Sequence, residues 1–331
     1  MSAALLNIQG VVLQDLNQND LSHESFRKAL SIRPDYAEVY NNMGNGLKAS
    51  GKLKEAIVSY NKALTIEPDY ADAYYNLGVV LAEQGKSKEA IEAFVKSLNV
   101  RPDFADAYYN MGNALQETGK LDEAIEAYKK VLVVNPIFPD VHNNLAGIFQ
   151  QQGKLDQAME SYNKEIACNP HDYLAYHNRG VILFHQGKLE ESLEAYNQAL
   201  IVNPGSAQAH YSMGITFKEQ GMLERAEEAF NTAIAINPEY AEAQFSLSFL
   251  LLNSGRLKEG LELQEWRWKV GANESEQRHF LRPVWDGTVS LEDKKILIWC
   301  EQGIGDIVRN SYLLRFISSQ AEHCVLECPQ K

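Results

Sequence analysis

The chain has 331 residues, of which 45% are hydrophobic and 23% are charged, a composition that supports a folded core and excludes a disordered tail. Its formal net charge of −13 disfavours nucleic acids and anionic membranes as partners. No run of about 18 apolar residues occurs, and residues 1–13 lack the basic start of a secretory signal, so we expect a cytoplasmic protein without a membrane span.

Two residue types recur along the chain at a single period of 34 residues. Prolines occupy Pro34, Pro68, Pro102, Pro136, Pro170, Pro204 and Pro238. Glycines occupy Gly51, Gly85, Gly119, Gly153, Gly187, Gly221 and Gly255. Self-similarity at this period predicts a solenoid of stacked helical repeats.

Each period has the apolar pattern of two amphipathic helices. In the second period, apolar residues at i, i+3, i+4 and i+7 mark a first helix, Gly51 ends it, and a second apolar stripe follows before Pro68. Gly44 and Ala56 are small, which lets the two helices approach closely. Asp69 stands where an N-cap is expected for the next helix.

These residues resemble the tetratricopeptide repeat at its signature positions, which are Tyr40, Met43, Gly44, Leu47, Ala56, Tyr60, Ala63 and Pro68. The resemblance covers roughly four fifths of the chain. It implies an all-α superhelical solenoid of helix-turn-helix repeats.

The solenoid is predicted to span residues 3–270 in about eight repeats, of which the first and the last are degenerate. The first repeat has Asn17 in place of the turn glycine and Ser22 in place of a small alanine. The last has Gly260 at the packing position and no closing proline. Regular repeats start at Ala37, Ala71, Ala105, Pro139, Tyr173 and Ala207. Residues 271–294 are polar and irregular and are predicted to be a linker.

Asparagine recurs at the sixth position of five consecutive repeats, on the helix that lines the concave face in this family. The ladder comprises Asn42, Asn76, Asn110, Asn144 and Asn178. Each carboxamide offers one acceptor and two donors, which suits pairing with the backbone of an extended peptide. The alternative is that these asparagines simply hydrogen-bond a neighbouring repeat.

Aromatic and acidic residues flank the ladder. Tyr75, Tyr109 and Tyr211, at the fifth position, offer apolar faces for ligand side chains, so the predicted partner is a protein or an extended peptide. Acidic residues at the second position form an edge that belongs either to the binding site or to the first turn of each helix. They are Glu38, Asp72, Asp106 and Asp140. Basic residues are sparse on this face, so we expect no clamp for a C-terminal carboxylate, and the ladder looks like the tetratricopeptide arm of protein O-glycosyltransferases such as O-GlcNAc transferase.

After the linker the sequence changes to the pattern of a β-α-β unit, and we expect residues 295–331 to be the start of a truncated Rossmann-like α/β domain. Its predicted strands and helix are residues 295–300, 324–328 and 307–320. Gly303 and Gly305 follow the first strand and predict a backbone nest for an anion. The cysteines lack the spacing of a zinc site and are predicted to be reduced thiols: Cys168, Cys300, Cys324 and Cys328.

The chain also resembles bacterial tetratricopeptide proteins that continue into a heptosyltransferase-like glycosyltransferase of the GT-B type, in the segments WRW (266–268), RPVWDG (282–287) and ILIWCEQGIGD (296–306). This resemblance implies a nucleotide sugar as donor for the full-length protein, while no cofactor is expected in this chain. Asp306 matches the aspartate that acts as general base in such enzymes, and it also stands where a helix N-cap is expected.

Two functions stay open at this point. The first is a solenoid that presents a polypeptide acceptor to a glycosyltransferase domain, in which case this chain binds and does not catalyse. The alternative is a scaffold or adaptor with no catalytic activity. The exposed strand edges of the C-terminal unit also offer a route to oligomerisation.

Overall fold

The computed structural model describes residues 1–270 and the backbone of residues 295–299 and 323–327. The chain divides into two compact units, Met1–Arg267 and Trp268–Lys331. The helices of the first unit, in chain order, are α1 (Ala3–Asp15), α2 (Asn19–Ile32), α3 (Ala37–Ala49), α4 (Leu53–Ile66), α5 (Ala71–Glu83), α6 (Ser87–Val100), α7 (Ala105–Glu117), α8 (Leu121–Val134), α9 (Val141–Gln151), α10 (Leu155–Cys168), α11 (Tyr173–His185), α12 (Leu189–Val202), α13 (Ala207–Glu219), α14 (Leu223–Ile236), α15 (Ala241–Asn253) and α16 (Leu257–Gln264). A 3₁₀ helix follows at Glu265–Lys269.

In the second unit two short strands are described, β1 (Lys295–Trp299) and β2 (His323–Glu327). They pair in parallel, with Lys295 opposite His323 and Trp299 opposite Glu327. Both overlap the predicted strands, whereas the predicted helix at 307–320 and the predicted linker at 271–294 lie outside the described residues.

The helices of the first unit pack in the order in which they occur. Each odd-numbered helix pairs with the next even-numbered one, and each even-numbered helix then packs against the first helix of the following repeat. This confirms the predicted helix-turn-helix repeats. The core is therefore a continuous row of small clusters, each shared between neighbouring repeats.

Within six of the repeats, a glycine of the first helix lies directly against an aromatic ring of the second. A Cβ added to any of these glycines would lie within 2.7 Å of a ring carbon, closer than real contacts allow. The rings are at most 2% exposed. The pairs are Gly10–Phe26, Gly44–Tyr60, Gly78–Phe94, Gly112–Tyr128, Gly180–Tyr196 and Gly214–Phe230. The close approach predicted from Gly44 and Ala56 is thus a contact between backbone and ring.

The turn between the two helices of a repeat needs a left-handed residue. The seven ladder glycines have φ between 71° and 83°, a region that other residues enter only at a cost. In the degenerate first repeat Asn17 takes this conformation with φ of 57°, because asparagine tolerates it better than most side chains.

The predicted N-cap at Asp69 is wrong. Helix α5 begins at Ala71, so the cap position belongs to Tyr70, which makes no side-chain capping bond. Asp69 instead falls in the turn that follows Pro68. Side-chain caps occur where a short polar residue replaces the aromatic, as at Asp172 and Ser206.

We expect Gly112→Ala to destabilise the protein by about 1–3 kcal/mol, because its new methyl group would overlap the Tyr128 ring. The matched control is Gly147→Ala in helix α9, where nothing lies within 4 Å of the added Cβ. That change should leave the protein as stable as the parent or up to ~1 kcal/mol more stable, since alanine favours a helix over glycine. Urea unfolding followed by circular dichroism measures both, and equal effects of the two substitutions would contradict the packing role.

Candidate peptide-binding face

We call the side of the first helices that carries Asn42, Asn76, Asn110 and Asn144 the ladder face. On it, each asparagine donates a hydrogen bond to the residue 35 positions earlier, in the preceding repeat. The Nδ2 atom of Asn76 lies 3.0 Å from Oδ1 of Asn41, and Nδ2 of Asn110 lies 3.0 Å from the Tyr75 hydroxyl. The structural alternative considered for the ladder is therefore present: the amide groups join neighbouring repeats.

The amide oxygens of these four asparagines are placed differently from the nitrogens. In the described part of the chain no hydrogen bond to Oδ1 of Asn42, Asn76, Asn110 or Asn144 is found, and none of these oxygens is buried. The residues themselves are half-buried. Each carboxamide is thus held through its nitrogen and presents its acceptor to solvent.

The ladder changes at the fifth repeat. Asn143, which would accept from Asn178 in the regular pattern, donates instead to Asp172, the N-cap of α11. Asn178 contacts Nδ1 of His177 through its Oδ1, at 3.3 Å, and Nε2 of His177 lies 3.0 Å from the Ser212 hydroxyl. Burial lowers the pKa of His177, so the imidazole is neutral at pH 7. The structure therefore separates Asn178 from the other four predicted residues.

The three predicted tyrosines also have structural partners. Tyr75 packs between the rings of Phe94 and Phe104, with centroid distances of 6.1 and 4.7 Å. The rings around Tyr109 and Tyr211 repeat this arrangement, with Tyr128 and Phe138 in one case and Phe230 and Tyr240 in the other. All three tyrosines are half-buried, so each fixes a local aromatic cluster while one part of the ring stays accessible.

The predicted acidic edge is not uniform. Asp72 pairs with Arg101 at 2.6 Å, and Glu38 accepts a hydrogen bond from Asn7 at 3.0 Å. Asp106 is exposed. Asp140 does not lie in a helix: α9 begins at Val141, one residue after it, and Asp140 has φ of 62°.

Asp140 belongs to a cluster of carboxylates that sequence reasoning missed. Oxygens of Asp140, Glu165 and Asp172 all lie within 4.8 Å of one another. Glu165 is only 2% exposed. Burial first, and then the charges of Asp172 and Asp140, raise the pKa of its carboxyl, although the backbone amides of Asn143 and Asp140 donate to it. Among the described residues this is the group that could hold a cation, but no observation beyond the acidic groups themselves indicates one.

The signal for this cluster was present in the repeat alignment. Glu165 occupies a helix position that is fully buried in the neighbouring repeats and carries a small uncharged side chain there. The equivalents are Ala29, Ala63, Ser97, Val131, Ala199 and Ala233. A charged residue in such a register is the kind of exception that marks a local specialisation.

Three predicted site residues lie outside the described part of the chain: Gly303 and Gly305 of the predicted anion nest, and Asp306. Their roles stay predictions. In the described residues, no helix is long and apolar enough to cross a membrane.

Comparison with known proteins follows the same periodicity. Models described as "Tetratricopeptide repeat" match residues 3–36, 105–138, 139–171, 161–194 and 207–240, and a "TPR repeat" model matches 44–85, 80–119 and 182–221. The chain belongs to the tetratricopeptide repeat family. The matched models end at residue 240 and lend no support to the glycosyltransferase resemblance. No curated protein matches the chain.

Solved structures share the fold of this tetratricopeptide chain. A tetratricopeptide repeat protein from Parabacteroides merdae is 21% identical, with a TM-score of 0.53 over 75% of this chain and 98% of its own. PilF from Pseudomonas aeruginosa is 23% identical, with a TM-score of 0.53 over 63% and 95%. The APC/C hetero-tetramer Cut9-Hcn1 is 20% identical, with a TM-score of 0.52 over 76% of this chain and only 50% of its own. At these identities the similarity shows the fold alone.

We expect Glu165→Gln to make the protein more stable than the parent at pH 7 and to reduce the difference as the pH falls towards about 4.5. A carboxyl with a raised pKa keeps its proton in the folded state at pH values where the unfolded chain has lost it. The parent therefore loses stability as the pH rises through that window, whereas glutamine cannot titrate.

The control for this pH series is Glu160→Gln on the same helix. Lys164 holds the pKa of Glu160 below its usual range, so removing that carboxylate should cost stability at neutral pH, the opposite sign. Chemical unfolding at several pH values measures both variants. A Glu165→Gln variant less stable than the parent at pH 7 would show that the buried carboxylate is net stabilising.

Proposed function

We propose that this chain is an adaptor that binds an extended polypeptide segment along the ladder face. The observation that supports this is the two-sided use of the asparagines: inter-repeat bonds occupy the amide nitrogens, while the oxygens of Asn42, Asn76, Asn110 and Asn144 face solvent in register.

Backbone amides of an extended peptide are the complementary donors. Every residue other than proline carries one such N–H group, so acceptors repeated on successive helices hold a peptide with little regard to its sequence. Because each carboxamide is already held by a neighbouring repeat, less side-chain entropy is lost on binding. The half-exposed edges of Tyr75 and Tyr109 then supply apolar contact beside the row.

A glycosyltransferase partner domain is the second function that the sequence raised, and it stays a prediction. The parallel pairing of β1 and β2 is the pairing that a Rossmann-like unit requires. Parallel strands occur in many unrelated enzymes and non-enzymes, however, so this pairing does not favour sugar transfer over an adaptor role.

The experiment is a binding assay of the chain against an array of unstructured random-sequence peptides. We expect the parent to bind a subset of them. The variant with Asn76, Asn110 and Asn144 all changed to alanine should lose affinity at least about tenfold, because three acceptor groups are removed, each hydrogen bond contributing about 1 kcal/mol.

The matched control is the double variant Tyr75→Phe and Tyr109→Phe. It removes the hydroxyls that accept from Asn110 and Asn144 but leaves the amide oxygens in place. It should bind within a few-fold of the parent. If the parent binds no peptide, or if the phenylalanine variant loses as much affinity as the alanine variant, the ladder only joins the repeats and the proposal fails. Circular dichroism verifies that each variant remains helical.

A further inference from the structure

The first helix of the chain exposes side chains at positions that every later repeat buries. Leu5 and Val12, at the third and tenth positions of the first repeat, are 57% and 50% exposed. Their equivalents are all at most 6% exposed. At the third position these are Val39, Ala73, Ala107, Val141, Ala175, Ala209 and Ala243, and at the tenth Val80, Ala114, Ile148, Ile182, Thr216 and Leu250. Helix α1 thus carries an interior surface without an interior neighbour among the described residues.

The later repeats show what kind of structure covers this surface. Val39 packs with Phe26 and Ala29 of α2, the second helix of the preceding repeat. Val141 and Ile148 pack in the same way with Tyr128 and its neighbours on α8. The cover is in each case an amphipathic second helix, and this contact between consecutive repeats occurs seven times in the chain.

The last second helix has the complementary feature. On α16, Leu257 and Leu261 are 59% and 57% exposed. In an interior repeat the equivalent residues, Leu53 and Ile57, pack with Leu77 and Val80 of the following first helix, in one cluster. Helix α16 therefore presents apolar residues in the register that normally receives the next repeat.

From these two surfaces we propose that the chain associates head to tail, with α1 of one copy packed on α16 of the next. The contact would continue the stacking that the chain already makes between its own repeats. Helix α1 carries Asp15 as its one charged residue, so no row of like charges opposes the approach. This inference does not depend on the ladder face, which lies on a different side of the first helices.

The symmetry of such a contact determines its behaviour. A head-to-tail contact uses two different surfaces and leaves one of each free, so it does not end at a dimer. Only a few side chains are covered, far from the ~1,600 Å² of a typical stable interface. We therefore expect weak association whose average mass increases with concentration.

Sedimentation velocity on the 331-residue chain over a hundredfold concentration range tests this. The average mass of the parent should increase beyond that of a dimer at the highest concentrations. The variant Leu5→Lys with Val12→Lys should need at least tenfold higher concentration for the same mass. The matched control is Val133→Lys with Ile201→Lys, two residues that are 76% and 71% exposed away from both end helices, and it should behave as the parent does.

Mixing two variants identifies which surfaces meet. The α1 variant keeps its α16 surface, and the variant Leu257→Lys with Leu261→Lys keeps its α1 surface. Each alone should stay monomeric, and the mixture should form a one-to-one complex that grows no further. The proposal is overturned if the parent stays monomeric throughout, or if the α16 variant self-associates as well as the parent, which would indicate pairing of α1 with α1. Peptide binding and circular dichroism confirm that both variants are folded.

Discussion

The contact between a first-helix glycine and a second-helix aromatic ring determines the geometry of each repeat. It lets the two helix backbones come close enough for a ring to fill the space between them, and the same ring then reaches the first helix of the next repeat. Tyr128 shows both uses, since it covers Gly112 and packs in one cluster with Val141 and Ile148. One residue therefore specifies both the pairing within a repeat and the stacking between repeats. A solenoid has no central core, so its stability depends on such local contacts being repeated.

The fourth repeat departs from this pattern in several ways at once. It has Ala146 in place of the packing glycine, its first helix starts late after Pro139, and Asp140 takes a left-handed conformation. Glu165 and Asp172 then complete a carboxylate cluster, and Asn143 turns away from the ladder to bond Asp172. These changes lie in two adjoining repeats and divide the ladder face into a regular part before Asn143 and a different part after His177.

Much of this architecture could be predicted from the sequence, because the information is repeated. The period of 34 residues, the turn glycines and the packing glycines each appear several times, so a chance occurrence in one repeat is corrected by the others. The helix N-cap at Asp69 was wrong because local preference favoured an aspartate, whereas the chain uses the next position for an aromatic ring that packs.

The site was less predictable because it depends on orientation as well as on residue type. The sequence showed that asparagines recur, but not that their nitrogens bond the preceding repeat while their oxygens do not. It also grouped Asn178 with the others, although His177 and Asp172 change the partners there. The buried Glu165 could have been found by comparing equivalent helix positions, since only a charged residue breaks that column.

The inter-repeat bonds of the ladder have a consequence for cooperativity. In a linear array each repeat is coupled to its two neighbours alone, so a segment can open wherever one interface is weak. A ligand held by Asn76, Asn110 and Asn144 would connect repeats that do not touch one another. Opening one of them would then require the ligand to release its grip on all three. The bound array would melt as a larger unit than the free one, with its resistance to local opening set by the length of the ligand.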